Sequence, residues 1–160
     1  MRSKNKSANS TWESNEMQLL EHHSNIVVGI LGPRAKLRVS VLLNTIPEYR
    51  VRYITSEHEI ADAVANSDLV IGTDLTACEG VLHRKPVIVV GDYGLGGLVT
   101  PYTFRSHYDN RFRGRVNGMK DEYFSLERLE GEIKRSTTLT FQELQMMSNQ
   151  ITTFLHNIDF

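Results

Sequence analysis

Residues 68–101 read DLVIGTDLTACEGVLHRKPVIVVGDYGLGGLVTP, and this stretch decides the fold. A short apolar run is followed by a polar turn, a helix-like segment, a second apolar run and a glycine-rich exit. Continuous apolar runs of this length indicate strands that are buried on both faces, as in a parallel sheet. The stretch therefore predicts a strand–helix–strand unit whose loops are placed to hold a ligand.

The same alternation continues outward from this stretch. Residues 36–46 carry apolar side chains at helical spacing, and residues 49–55 alternate apolar side chains with arginine, as a strand near a sheet edge does. Strands are thus predicted at residues 26–31, 49–55, 68–72 and 86–90, with helices between them. We predict an α/β fold, a single Rossmann-like domain with a mainly parallel sheet of four to five strands and helices on both faces.

Local signals predict where several helices start. The spacing Ser56 to Glu59 is that of a capping box, and Thr140 to Glu143 repeats it before a long closing helix. Ser125 is predicted to cap the helix that precedes the closing one. Residues 91–118 are rich in glycine and arginine and predict a long loop, which in a compact domain is functional or mobile.

Composition bounds the class of protein. The 160 residues suit one domain, which we predict at 25–160 behind a polar tail or linker at 1–24. A net charge of -1 argues against general binding to nucleic acid, and no apolar run is long enough to span a bilayer. Cys78 is the single cysteine, which excludes an intrachain disulfide and suits a reducing compartment.

The turn at residues 72–76 is the most informative candidate site. Ligands of open parallel sheets bind beyond the carboxyl ends of the strands, and this turn joins a predicted strand to a predicted helix. The free N–H groups at a helix start suit a phosphate or diphosphate. The candidate donors are the amides and hydroxyls of Thr73, Thr76 and Ala77.

Glu79 has two interpretations. Its spacing from Thr76 is that of a capping box, in which its carboxylate would bond back to the helix start. Alternatively, its two oxygens would accept hydrogen bonds from the vicinal hydroxyls of a ribose. The spacing alone favours the cap.

The familiar catalytic motifs do not occur. The sequence has no G-x-x-x-x-G-K-[ST] phosphate loop and no G-x-G-x-x-G after the first predicted strand. It has no G-x-S-x-G nucleophile elbow, so a small enzyme of another α/β superfamily finds no support. No spacing of histidine and carboxylate suits zinc.

The central stretch resembles the donor-binding, C-terminal domain of GT-B glycosyltransferases of the retaining "group 1" type, used in surface-polysaccharide assembly. The resemblance rests on segments of small and apolar residues, which are SDLVIG at 67–72, TACEGVL at 76–82, KPVIVVG at 85–91 and GLGGLVTP at 94–101. It covers about a third of the chain strongly. It implies a nucleotide-sugar donor, UDP- or GDP-linked, held by protein groups and with no metal.

The resemblance also implies roles for matching residues. Glu79 aligns with the glutamate that holds the nucleotide ribose, and the amides near Thr76 and Ala77 align with contacts to the diphosphate. Lys36 resembles the lysine that meets the donor phosphates, where it would stabilise the departing diphosphate. The remaining implied substrate contacts are Thr55 and Ser56 in the base-binding loop and Gly94, Gly96 and Gly97 in the glycine-rich exit.

The chain departs from the family pattern at two positions. Ile71 stands where the family often has a first glutamate, and Leu31 stands where an arginine usually precedes the lysine. Arg34 is then a second candidate for stabilising the leaving diphosphate. These losses favour an alternative function, a non-catalytic interaction or sensor module that kept the fold.

Length implies a missing half. GT-B enzymes act in the cleft between two such domains, and this chain has room for one. We therefore expect the acceptor domain to come from another subunit or from the rest of a longer protein, and the isolated chain to be inactive. The resemblance implies a cytoplasmic protein that reaches the inner membrane only through its partner.

Residues 104–115 interleave arginine with aromatic side chains and leave three interpretations open. The first is a solvated surface loop with aromatic anchors. The second is a lid that closes over the donor, with an arginine or His107 on the phosphates. The third, RNA contact, is the least favoured because the chain is short and nearly neutral.

Overall fold

The computed structural model describes residues 25–122 and 124–157. The predicted tail at 1–24 lies outside the described residues. The strands are β1 (Asn25–Gly29), β2 (Arg50–Tyr53), β3 (Leu69–Gly72), β4 (Val87–Gly91) and β5 (Gly94–Leu98). The α-helices are α1 (Pro33–Leu43), α2 (Ile60–Ala65), α3 (Asp74–Leu82), α4 (Phe104–Asp109), α5 (Leu126–Arg135) and α6 (Phe141–His156). Short 3₁₀ turns span Glu57–Glu59 and Ser136–Thr138.

The strands form one sheet in the order β2-β1-β3-β4-β5. β1 pairs in parallel with β2 and with β3, and β3 pairs in parallel with β4. β5 turns back and pairs antiparallel to β4. The predicted α/β fold with a mainly parallel sheet is confirmed, and the four predicted strands are its parallel part.

The burial of each strand follows its sequence pattern. Every residue of β3 and β4 is buried, as expected for wholly apolar strands in the middle of a parallel sheet. β2 alternates, with Arg50 and Arg52 exposed and Val51 and Tyr53 partly buried. Its place at the end of the strand order confirms the predicted edge strand.

Helices cover both faces of the sheet, as predicted. On one face, side chains of α2, α3, α4 and α6 pack with Val27, Val70, Val87 and Val89. On the other face, α1 and α5 pack with Ile26, Val28, Ile71 and Ile88. Alternate residues of each strand thus enter opposite cores.

The predicted capping boxes have different outcomes. Thr140 and Glu143 form the full box at the start of α6, which confirms that prediction. Ser125 accepts from the Arg128 N–H and caps α5, also as predicted. The box at Ser56 is altered, because the Glu59 carboxylate accepts from the Thr55 N–H at 2.8 Å instead.

The prediction of a long loop at 91–118 is wrong over much of its length. The first part forms β5, and residues Phe104–Asp109 form α4. Phe104, His107 and Phe112 are buried against the α3 and α6 face. The aromatic residues of this segment therefore pack in the core, which also overturns the interpretation as a solvated loop.

Candidate functional site

The strand order reverses between β1 and β3, and a crevice opens there. The chain leaves β1 toward α1 on one face and leaves β3 toward α3 on the other. The two loops diverge at the carboxyl edge of the sheet, and this is where open α/β sheets bind ligands.

A cleft of about 240 Å³ occupies this position, and we call it the switch-point cleft. Its lining comes from the loops after β1, β2 and β3 and comprises Gly29, Ile30, Leu31, Ile54, Thr55, Ser56, Glu57, Ile60, Thr73, Asp74, Leu75 and Thr76. Four residues of the predicted site, Thr55, Ser56, Thr73 and Thr76, are among them. The structure thus brings the predicted base loop and the predicted phosphate turn together.

Thr73 joins two walls of this cleft. Its Oγ1 accepts from the Leu31 N–H at 3.0 Å, and its own N–H donates to the Gly29 carbonyl at 3.0 Å. Thr76 is buried against Gly29 and Gly72, where a Cβ on either glycine would collide with it or with nearby backbone. The small residues of this turn therefore let the ends of β1 and β3 approach closely.

α3 begins at Asp74, two residues earlier than predicted. Asp74 has a φ of 50°, which makes the turn from strand to helix sharp, and its N–H donates to the Phe112 carbonyl at 3.3 Å. Thr73 is the N-cap residue, so the predicted capping box of Thr76 and Glu79 is wrong. Ala77 is fully buried and its N–H donates to the Thr73 carbonyl at 3.4 Å, which leaves it no group to offer a ligand.

Glu79 lies in the second turn of α3 and pairs within its own helix. Its Oε2 is 3.1 Å from Nε2 of His83, and both side chains are about one third exposed. The ribose interpretation of Glu79 stays a prediction, and it requires the carboxylate to exchange His83 for the sugar.

The two basic candidates lie on α1. The Lys36 ammonium is 6.0 Å from the centre of the Tyr53 ring, at the end of the edge strand. Arg34 is well exposed and its Nη1 is 3.6 Å from Oδ1 of Asp121. Neither side chain lines the switch-point cleft, and their roles toward a diphosphate stay predictions.

The glycines of the exit segment lie in β5, where other parts of the chain approach closely. A Cβ on Gly96 would lie 2.6 Å from the Gly114 carbonyl oxygen. Gly94 and Gly97 have φ values of 101° and 89° and lie beside carboxylates, those of Glu122 and Glu132 respectively. Packing and backbone conformation account for these glycines without a ligand.

A second cleft of about 220 Å³ lies beside the first and shares Leu31 and Thr73 with it. Its other lining residues are Gly32, Gly91, Asp92, Tyr93, Arg113 and Lys120. The Asp92 carboxylate accepts from the Ala35 N–H at 3.3 Å and so compensates the start of α1. The sequence offered one signal for Asp92, since it directly follows the fourth predicted strand.

Burial shifts the pKa of two groups near the sheet. Burial lowers the pKa of His107 to about 4, and its Nδ1 has no hydrogen-bond partner among the described residues. Buried at 2% exposure, His107 cannot contact phosphates as the lid interpretation proposed. Burial, with help from Glu79 and Asp74, raises the pKa of the Cys78 thiol to about 11, so it is a poor nucleophile.

The part of the chain that the structure describes has neither a metal cluster nor a membrane span. Within residues 25–122 and 124–157, no three His, Cys, Asp or Glu side chains come together as metal ligands would. No described helix is both long and apolar enough to cross a bilayer.

Comparison of the chain with family models, curated proteins and solved structures gave no match. A function therefore has to be argued from the residues at the carboxyl edge of the sheet.

Proposed function

We propose that this chain binds a nucleoside-diphosphate sugar at the switch-point cleft, as the donor half of a glycosyltransferase. The observation that carries the proposal is the cleft itself, where three βα loops bring Thr55, Ser56, Thr73 and Thr76 together. The resemblance of the central stretch to GT-B donor domains supports the choice of ligand. By the same resemblance, the acceptor domain is supplied elsewhere and the chain works in the cytoplasm.

The nucleoside is the part of the ligand that suits this cleft. At about 240 Å³ the cleft is smaller than a whole nucleotide sugar needs. Its charged lining residues are Glu57 and Asp74, with no lysine or arginine. Carboxylates accept from ribose hydroxyls and repel phosphates, so the sugar and base would lie here and the diphosphate would extend out of it.

Calorimetric titration of the chain with UDP, GDP and their sugars tests the proposal. We expect one of them to bind in the micromolar range. Leu75→Glu should weaken binding about tenfold, because a negative charge near a phosphate costs on the order of 1–2 kcal/mol at a surface. Leu75 lines the cleft and is 51% exposed in the first turn of α3, where an acidic side chain favours the helix.

Leu37→Glu is the matched control. Leu37 is a 65% exposed leucine of α1 outside the cleft lining, so the same change of charge should leave the affinity unchanged. Equal affinities of wild type and Leu75→Glu would contradict the proposed site.

A second candidate function is a non-catalytic interaction or sensor module. The observation that favours it is the acidic residue at each helix start, Asp74 in the first turn of α3 and Asp92 at α1. A carboxylate at a helix start takes the place that a phosphate would otherwise occupy. If no nucleotide binds the chain, the module is the better description.

A further inference from the structure

We infer that the second cleft is an anion site in which Arg113 and Lys120 bind a phosphate group. The inference rests on the proposed function and deepens it, because it separates the place of the diphosphate from that of the nucleoside. A phosphate at Arg113 would also spare the ligand the acidic starts of α1 and α3.

The two clefts are adjacent, so one ligand can span both. They share Leu31 and Thr73, whose hydrogen bond of 3.0 Å forms the ridge between them. Beyond this ridge the lining changes from acidic to mixed, with the cations of Arg113 and Lys120 on the far side. A ligand with a neutral end and an anionic end matches this change of charge.

Arg113 has hydrogen-bonding capacity to spare. Its Nε is buried and has no hydrogen-bond partner among the described residues. Its Nη2 is 3.8 Å from Oδ2 of Asp74, which is an ion pair longer than a hydrogen bond. A guanidinium with free donors binds phosphate through paired N–H groups, so a phosphate would complete the partners that Asp74 supplies only in part.

The backbone holds Arg113 in place through an unusual conformation. Arg111 and Phe112 have φ values of 58° and 52°, and Gly114 has a φ of 133°. The turn is anchored at both ends, because the Phe112 N–H donates to His107 at 2.8 Å and the Phe112 carbonyl accepts from Asp74 at 3.3 Å. Non-glycine residues with positive φ persist where the surroundings hold them, and such strain concentrates at functional sites.

The bare glycine Gly91 admits this turn to the sheet. A Cβ on Gly91 would lie 2.5 Å from the Arg113 carbonyl oxygen. The Arg113 backbone therefore packs directly on β4, and its side chain lies at the carboxyl edge where the second cleft opens. The absence of a side chain at position 91 is thus a condition for the site.

Titration of the full chain with pyrophosphate, followed by calorimetry and by phosphorus NMR, tests the inference. We expect pyrophosphate to bind wild type and Arg113→Gln to weaken it at least tenfold. Arg111→Gln is the control, since it removes the same charge from an exposed neighbour outside the cleft and should leave binding unchanged. Lys120→Gln, at an exposed position, should weaken binding at least threefold and covers the case that Arg113→Gln does not fold.

Asp74→Asn separates anion binding from a merely structural ion pair. Asparagine tolerates the positive φ of position 74, so the turn is kept while the carboxylate that competes for Arg113 is removed. We expect the affinity for pyrophosphate to rise at least threefold. A structural role of the pair would instead lower stability without tightening the anion.

The outcomes for this inference and for the proposed function are distinct. Failure of pyrophosphate to bind wild type, or equal binding by Arg113→Gln, overturns the inference. Nucleotide binding that persists in Arg113→Gln overturns it too and leaves the proposed function standing. Pyrophosphate binding that needs Arg113, in a chain that binds no nucleotide, supports the inference and rejects the proposed function.

Discussion

At the scale of single residues, two glycines show how differently the same residue type is used. A Cβ on Gly91 would meet the Arg113 carbonyl oxygen at 2.5 Å and Cγ2 of Thr73 at 2.8 Å. A Cβ on Gly131, in α5, would meet nothing within 4 Å. Gly91 is therefore required by a close approach of the backbone, whereas Gly131 only weakens its helix.

The two alanine variants should change stability in opposite directions. Gly91→Ala should lower the free energy of unfolding by about 1–3 kcal/mol, because the backbone of Arg113 has to move. Gly131→Ala should raise it by about 0.5–1 kcal/mol, because alanine has the better helix propensity and the space is open. Urea unfolding measures both, and a Gly91→Ala variant as stable as wild type would contradict the packing described here.

His107 makes stability depend on pH. It is buried and stacked on Phe112 with 6.4 Å between ring centres, and burial lowers its pKa to about 4. The unfolded chain, with a histidine pKa of about 6.5, binds the proton more readily. Stability from this group is complete above about pH 6.5 and is lost as the pH falls toward 4, by up to about 3 kcal/mol.

Unfolding by urea between pH 7 and pH 4 measures this dependence. His107→Phe keeps an aromatic ring at the position and should flatten the loss of stability over that interval. His58→Gln changes an exposed histidine and should leave the wild-type dependence in place. Equal slopes for wild type and His107→Phe would show that the acid sensitivity has another source.

At the scale of elements, the loop between β1 and α1 depends on a hydroxyl from the start of α3. Thr73 Oγ1 accepts from the Leu31 N–H, and the side chain makes no cap hydrogen bond to its own helix. Thr73→Val keeps the shape and removes this acceptor. We expect a loss of about 1 kcal/mol in the free energy of unfolding, measured by urea, and weaker nucleotide binding.

Thr73→Ser is the rescue variant, because serine restores the hydroxyl. It should recover most of the stability that Thr73→Val loses. If the valine variant were as stable as wild type, Thr73 would not be the link between the two loops.

The elements also show where sequence patterns mislead. The spacing Thr76 to Glu79 fits a capping box, but α3 starts earlier because Asp74 adopts a φ of 50° beside Phe112. That contact is distant in sequence and leaves no local signal. β5 was not predicted because glycine is rare in strands, and its pairing with β4 stabilises it instead.

At the scale of the whole molecule, the fold and the general position of the site follow from the sequence. Apolar runs that alternate with amphipathic helices dictate parallel strands, and parallel strands bring the predicted turns at Thr55 and Thr73 to one edge. The second cleft did not follow, because Arg113 and Lys120 reach that edge only after α4 returns the chain across the sheet. Long-range packing of this kind has no period or spacing to read.

The most direct test of the account is backbone amide NMR of the chain during titration with UDP, GDP and their sugars. The central claim is that a nucleotide binds at the carboxyl edge of the sheet. We expect the bound ligand to shift amides in residues 29–32, 54–57 and 73–76, which line the switch-point cleft. Binding that shifts only amides at the opposite edge, or no shift with any of these ligands, would contradict the claim.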